Sequence, residues 1–192
     1  MKSSFFKNLG PISITTIKEN LEFTSININE DISFNDFTSI KNLNEKGLSF
    51  LTDNYFSREN TLSDGTIICS QSINRKLKNN NPRIIVSDVH LAVAKLSNIF
   101  YRPFTHNEIE KLDKPKIDSN CNISDSSIIE NGSIIGKNVN IRAGCYVGYN
   151  CIIGDNTTIG CNTVITNSII AENAHIGRNS SIGQQGFGFA IS

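Results

Sequence analysis

The sequence predicts two parts of different class, an α/β domain over residues 1–112 and a parallel β-helix over residues 113–192. Three observations carry this. From Ile117 onward the chain can be written in hexads: IDSNCN ISDSSI IENGSI IGKNVN IRAGCY VGYNCI IGDNTT IGCNTV. The fourth place of these hexads is Asn or Gly in seven of eight cases, Ser126 being the exception. Before about residue 112 the repeat is missing, and apolar β-rich stretches alternate with helix signals.

In the first part, Ser13 is placed to cap a short helix with Ile14, Ile17 and Leu21 on one face. The stretches LEFTSI, DISFNDFTSI, GLSFLT, TIICS and RIIVSD have strand character. Asp88 is placed to cap the helix VHLAVAKLSNIF, with Val89, Val93, Leu96 and Phe100 on one stripe. Strands interleaved with helices give an α/β domain. The segment RPFTHNEIEKLDKPK is polar, holds two prolines and reads as a connection between the parts.

In the second part, the first hexad place is β-branched nine times in succession, at 117, 123, 129, 135, 141, 147, 153, 159 and 165. The spacing then slips to five and resumes at Ile170, Ile176 and Ile182. The fifth place is small or short: Cys121, Ser127, Ser133, Val139, Cys145, Cys151, Thr157 and Thr163. Each hexad is therefore a short strand and a tight corner. Places five and one point inward and place six, between them, points out. The fourth place takes the left-handed conformation that Gly and Asn tolerate. Three hexads make one triangular coil of 18 residues. Hairpins would instead show period two with turns every eight to twelve residues.

Residues one coil apart share a face of this prism. One face carries Ile134, Ile152 and Ile169 outward, and a second carries Ile128, Tyr146 and Val164. The third is polar, with Asn122, Asn140, Thr158 and His175. Two outward apolar stripes predict a homotrimer in which each subunit uses two faces.

The formal net charge is zero, so no bulk attraction to nucleic acid or acidic membrane is implied. No apolar run has the length of a membrane span or of a signal peptide's core, and a cytoplasmic protein is expected. The five cysteines are an odd number without CxxC spacing. Neither a disulfide framework nor a metal site is expected. Cys121, Cys145 and Cys151 read as small core residues, and Cys161 as a corner residue without a role.

The stretch SFLTDNYF (49–56) sets aromatics on either side of a polar Thr-Asp-Asn. Such a group can stack on a flat base and hydrogen-bond its edge, and it can equally be a strand with core aromatics.

The order of these features resembles UDP-3-O-acylglucosamine N-acyltransferase of lipid A biosynthesis. FFKNLGPISITTI resembles that family's N-terminal segment, GLSFLTDN its uridine-site motif, and RIIVSDVHLAVAKLSNIFY its following helix. The hexads come next, and IGQQGFGFA resembles the glycine-aromatic segment that interrupts them. The resemblance implies a left-handed β-helix, a homotrimer, no cofactor and no metal. It implies transfer of a 3-hydroxyacyl chain from acyl carrier protein to the 2-amine of UDP-3-O-acylglucosamine. Phe50 matches the first aromatic that holds the uracil. An ungapped match puts Asp53 and Phe56 at the Asn and Tyr positions; a one-residue insertion puts Asn54 there and leaves Tyr55 near the second aromatic. Hydrogen-bond chemistry favours Asn54. Gly186, Phe187, Gly188 and Phe189 are implied to line an acyl or sugar groove, and Gln185 departs from the family's usual Asp.

The family's catalytic histidine follows the glycine-aromatic segment. His90, His106 and His175 all precede it, and His175 reads as a solvated surface residue. The expectation is therefore an N-terminal fragment whose general base lies beyond Ser192, inactive by itself. The alternatives are a non-catalytic trimeric module that binds a UDP-sugar or acts as a scaffold, or another hexapeptide acyltransferase.

Overall fold

The computed structural model describes residues 5–28, 31–53, 64–78 and 80–185. They form two compact units. One is built from residues 8–102, the other from residue 103 onward together with Phe5–Lys7.

In chain order the first elements are β1 (Phe6–Asn8), β2 (Ile12–Ser13), α1 (Ile14–Asn20), β3 (Ser25–Asn27), β4 (Ser33–Phe34) and β5 (Asp36–Phe37). A single 3-10 turn, Ile40–Asn42, leads to β6 (Gly47–Leu51) and β7 (Thr66–Cys69). Then come α2 (Gln71–Lys76), β8 (Arg83–Ile85), α3 (Val89–Phe100) and β9 (Tyr101–Pro103). The central sheet has the order β3-β8-β7-β6-β5. Its pairs are parallel except for β3, which runs antiparallel to β8 at the edge.

The two helix starts follow the predicted chemistry. The Ser13 hydroxyl accepts from the Thr16 amide at 3.1 Å, and the Asp88 carboxylate accepts from the Leu91 amide at 3.0 Å. Ile14 and Ile17 of α1, and Val89, Ala92, Leu96 and Phe100 of α3, are buried on one face of the sheet with Phe34, Leu48, Ile68 and Ile84. The other face carries a smaller core of Leu43, Leu51, Ile67, Cys69 and Ile73, where α2 lies. α2 was not predicted. Its apolar signal is the single buried Ile73 among polar residues, too little for a periodicity to register.

The second unit opens with α4 (His106–Glu110), inside the stretch predicted as a polar connection. The Glu108 carboxylate accepts from the Thr105 amide at 3.0 Å, which satisfies one free donor at its start. Twelve two-residue strands follow: β10 (Lys116–Ile117), β11 (Asn122–Ile123), β12 (Ile128–Ile129), β13 (Ile134–Ile135), β14 (Asn140–Ile141) and β15 (Tyr146–Val147). The rest are β16 (Ile152–Ile153), β17 (Thr158–Ile159), β18 (Val164–Ile165), β19 (Ile169–Ile170), β20 (His175–Ile176) and β21 (Ser181–Ile182). They stack as three parallel sheets, β10-β13-β16-β19, β11-β14-β17-β20 and β12-β15-β18-β21. This is a left-handed parallel β-helix of hexapeptide repeats.

The registers are those of the hexads. Ile134 pairs with Ile152 and Ile128 with Tyr146, each one coil of 18 apart. Across the slip Ile152 pairs with Ile169, so the corner at 166–168 is one residue shorter and the faces stay aligned. The axial residues Ile135, Ile141, Val147, Ile153, Ile159 and Ile165 are buried. Ile117 is 46% exposed, and Ile170, Ile176 and Ile182 are half-buried, because a neighbouring coil covers them on one side only.

The small fifth places have a function that size alone does not explain. Their hydroxyl or thiol donates to the carbonyl just after the strand of the next coil. Ser127 donates to Arg142 at 2.8 Å, Ser133 to Gly148 at 2.8 Å, Cys145 to Gly160 at 3.0 Å and Thr163 to Gly177 at 2.9 Å. Val139, buried at the same place, has no such group, and Cys151 donates instead to Ile165 within β18, at 3.7 Å. Cys145 and Cys151 are buried as expected, and all five cysteines are free thiols.

The corners correct one expectation. Gly132, Asn138, Gly144, Asn150, Asn156 and Asn162 have positive φ, and so do Asn167, Asn173 and Asn179. Asn120 and Ser126, in the first coil, do not. At 118–121 the Asp118 carboxylate accepts from the Asn120 amide and its carbonyl from the Cys121 amide, an ordinary turn without a left-handed residue. At Ser126 the left-handed region would be costly for a side chain other than Gly, Asn or Asp.

Two predictions follow from these corners and faces. Asn156 has φ 57° and donates to Asn173 Oδ1 at 3.3 Å. Asn156→Ala is expected to destabilise the chain by about 1–2 kcal/mol in urea unfolding, and Asn156→Gly by clearly less. Equal losses would show that the corner conformation is not the limiting factor. The Tyr146 hydroxyl donates to Glu130 Oε1 at 3.0 Å. Burial first, and then that bond, push its pKa up to about 12. Because the folded value lies above the unfolded one, stability is expected to fall as pH rises from about 10 to about 12. Phenolate absorbance of the chain minus that of Tyr146→Phe would show a group titrating near 12; one titrating near 10 would contradict the buried bond.

Candidate functional site

Open parallel sheets usually bind ligands past the carboxyl ends of their strands, which makes the end of β6 the candidate in the α/β unit. β6 carries GLSFL, alternating between the two sheet faces. Ser49 and Leu51 are buried, Leu51 toward the α2 side, and Leu48 and Phe50 face α1 and α3. Phe50, the next-to-last residue of β6, is partly exposed. Its ring lies 5.9 Å from that of Phe37, tilted by 39°, and Phe37 in turn stacks on Phe100 at 6.0 Å.

A polar anchor sits beneath this aromatic row. The Tyr101 hydroxyl donates to the Asp36 carboxylate, with the Phe37 carbonyl 2.8 Å away. Burial first, then the hydrogen bond to Asp36, push the Tyr101 phenol well above its ordinary value, so it stays protonated as a donor. Phe50 is thus both a core residue and a ring with one accessible part, and the two readings of SFLTDNYF are compatible.

Asp53 follows the end of β6 and is exposed, 3.4 Å from Lys76 Nζ at the end of α2. This exposed pair is screened by solvent and contributes little to stability. Asn54, Tyr55 and Phe56 lie outside the described residues, as do Gly186, Phe187, Gly188 and Phe189. The structure therefore brings Phe50 and Asp53 to one edge of the sheet and is silent on the partners proposed for them. A polar cleft of about 560 Å³, lined by Ser25, Asn27, Asn74, Asn81 and Arg83, opens on the α2 side, the opposite sheet face from Phe50.

The three histidines are dispersed. His90 is exposed on α3. His106 lies 3.2 Å from Glu110 one turn along α4, both exposed. His175 is exposed on β20, on the outward polar face. It lines a cleft of about 470 Å³ together with Arg142, Cys161 and Arg178. Spacing alone had assigned Cys161 no role. The signal was there in the corner residues once they are registered coil by coil, Ser124, Arg142, Gly160 and Gly177, rather than the strand residues only.

Among the described residues no group of three or more His, Cys, Asp or Glu side chains is arranged to hold a metal ion. None of their helices is long and apolar enough to cross a membrane.

Residues 112–187 match a protein family described as the GMPPB C-terminal domain. That is a hexapeptide-repeat, left-handed β-helix domain of nucleotidyltransferase-related proteins. Comparison with curated proteins finds no match. The family match covers about two-fifths of the chain and confirms the β-helix class of its second part.

Proposed function

We propose that this chain carries the substrate-binding part of an N-acyltransferase that moves a 3-hydroxyacyl chain from acyl carrier protein to the 2-amine of UDP-3-O-acylglucosamine. The observation that carries it is the order of parts. An α/β unit with Phe50 at the carboxyl edge of β6 is followed by a hexapeptide β-helix and then by IGQQGFGFA. Phe50 supplies a flat face for the uracil, and Asn54, or Asp53, a hydrogen-bonding group for the base edge. Tyr55 or Phe56 closes the other side. Gly186, Phe187, Gly188 and Phe189 line the acyl or sugar groove. None of the three histidines is assigned as the base that frees the amine for attack on the thioester.

The β-helix is proposed to assemble as a homotrimer. Ile128 is 58% and Ile169 60% exposed, on two different sheets, while β11-β14-β17-β20 presents Asn122, Asn140, Thr158 and His175. Apolar stripes on two of three faces suit a three-fold arrangement.

The match of residues 112–187 to a β-helix domain of nucleotidyltransferase-related proteins favours a second reading. In it the chain is a trimeric module that binds a UDP-sugar, or acts as a scaffold, without turnover.

Calorimetric titration of UDP and UDP-N-acetylglucosamine into the purified chain tests the binding that both readings share. Saturable binding is expected, weakened by about 1–3 kcal/mol in Phe50→Ala if the ring stacks on the base. Unchanged affinity in a folded variant would end the stacking role. Acyl transfer from 3-hydroxyacyl carrier protein then separates the enzyme from the module. Sedimentation equilibrium is expected to give three chain masses. A monomer, with the stripes left in water, would overturn the trimer.

A further inference from the structure

On the polar face of the β-helix, the corner that follows β11, β14, β17 and β20 differs from the other two in carrying arginines. Its first residue is Ser124, Arg142, Gly160 and Gly177 in successive coils, and its second is Asp125, Ala143, Cys161 and Arg178. Two consecutive glycines follow Arg142 up the stack. A Cβ on Gly160 would meet the Arg178 amide at 2.7 Å and the Gly177 carbonyl carbon at 2.8 Å, so the backbones are too close there for a side chain. At Gly177, in the last of the described coils, a Cβ would meet Ser180 Oγ at 3.8 Å. The cleft of about 470 Å³ already described is a notch along this corner, lined also by Thr158, His175 and Ile176.

The two ends of this notch are cationic. Arg142 and Arg178 stand two strand spacings apart, about 10 Å along the stack, and both line it. Among the described residues neither guanidinium has a carboxylate within 4 Å. Asp125, the acid of this corner, belongs to the first coil and does not line the cleft. Thr158, Cys161 and His175 line the same space. All the polar groups that close this space can donate hydrogen bonds, and two carry fixed positive charge. Arginine's planar fork matches a phosphate oxygen pair. The outward apolar residues are on the other two sheets, so nothing about this face calls for a protein cover.

We propose that this notch is a binding site for a phosphate-bearing small molecule, a diphosphate fitting best, with Arg142 and Arg178 gripping its oxygens from either end. Gly160 and Gly177 line the floor of the notch. Thr158 and His175 complete the donor set. The site belongs to the β-helix and is independent of the base-stacking site assigned to Phe50.

The test is titration of inorganic phosphate and of pyrophosphate into the 192-residue chain at low salt, followed by calorimetry and by NMR shifts of the Gly160 and Gly177 amides. Saturable binding is expected, tighter for pyrophosphate, with those amides shifting. Arg142→Gln and Arg178→Gln are each expected to weaken it roughly tenfold or more, since each removes a charge-assisted bond. Lys137→Gln, on a different corner, serves as the control and is expected to leave it unchanged. All three positions are exposed, and an unchanged circular dichroism melt confirms that the variants fold. Non-saturating shifts in the unsubstituted chain would overturn the proposal. So would pyrophosphate affinity that survives the double arginine substitution but is lost in Phe50→Ala, because the anion would then belong to the α/β unit.

Discussion

The vertical register of one coil on the next is the constraint on which the second half of this protein depends. A two-residue strand has almost no stability alone. Here each becomes the middle of a stack, with backbone bonds such as Ile134 N to Cys151 O and Thr158 N to Ala174 O at 2.9 Å. Those bonds form only if the strands of one coil stay in line with those of the next; the hexad keeps that line, and the one five-residue step after Ile165 is taken up by a shortened corner. The axial isoleucines meet only when the register holds, and each one fully buried contributes about 1.5–3 kcal/mol of transfer free energy. The hydroxyls and thiols at the fifth hexad place add a third tie, reaching up to a carbonyl that the geometry would otherwise leave half-satisfied.

The same constraint explains what varies. Inward positions are narrow in type because their surroundings repeat. Outward positions and the third hexad place vary more, and there the chain differentiates its three faces. Isoleucine, tyrosine and valine on two sheets suit burial against copies of the chain. Asparagine, threonine and histidine on the third, with arginines at its corner, suit solvent and charged solutes. At Gly160 the backbone of the next coil comes too close for a side chain, while Arg142 and Arg178 line a cleft on the outside of the same corner. A uniform scaffold thus acquires a local notch without altering its core.

The α/β unit is organised on another principle. Its sheet is covered on one face by α1 and α3 and on the other by the shorter α2, giving two cores of unequal size. The aromatic row Phe50, Phe37 and Phe100 runs from the exposed carboxyl edge of β6 into the larger core. A ring held this way has few alternative rotamers, so a flat ligand meeting it would lose little freedom of the protein on binding. Tyr101, tied to Asp36 and Phe37, fixes the far side of the row.

The sequence by itself determined the class of both parts, the six-residue period, the slip after Ile165, the outward faces and the caps at Ser13 and Asp88. Each of these follows from residues close together in the chain, where period, capping and left-handed corners are decided by local sterics and hydrogen bonds. It also pointed to Phe50 and Asp53 by composition, but not to which sheet face the ring takes or how much of it stays exposed. Those depend on Phe37 and Phe100, far away in sequence. The turn at Asn120 and the starts of α2 and α4 rest on short-range bonds, from the Asn120 amide to Asp118, the Ile73 amide to Ser70 and the Thr105 amide to Glu108, that no period reveals, whereas the meeting of Arg142 with Arg178 was decided only in the tertiary structure. The arginines are 36 residues apart and share a cleft because two coils and one shortened corner bring their backbones into line. That alignment is a property of the stack as a whole, and no single hexad contains it.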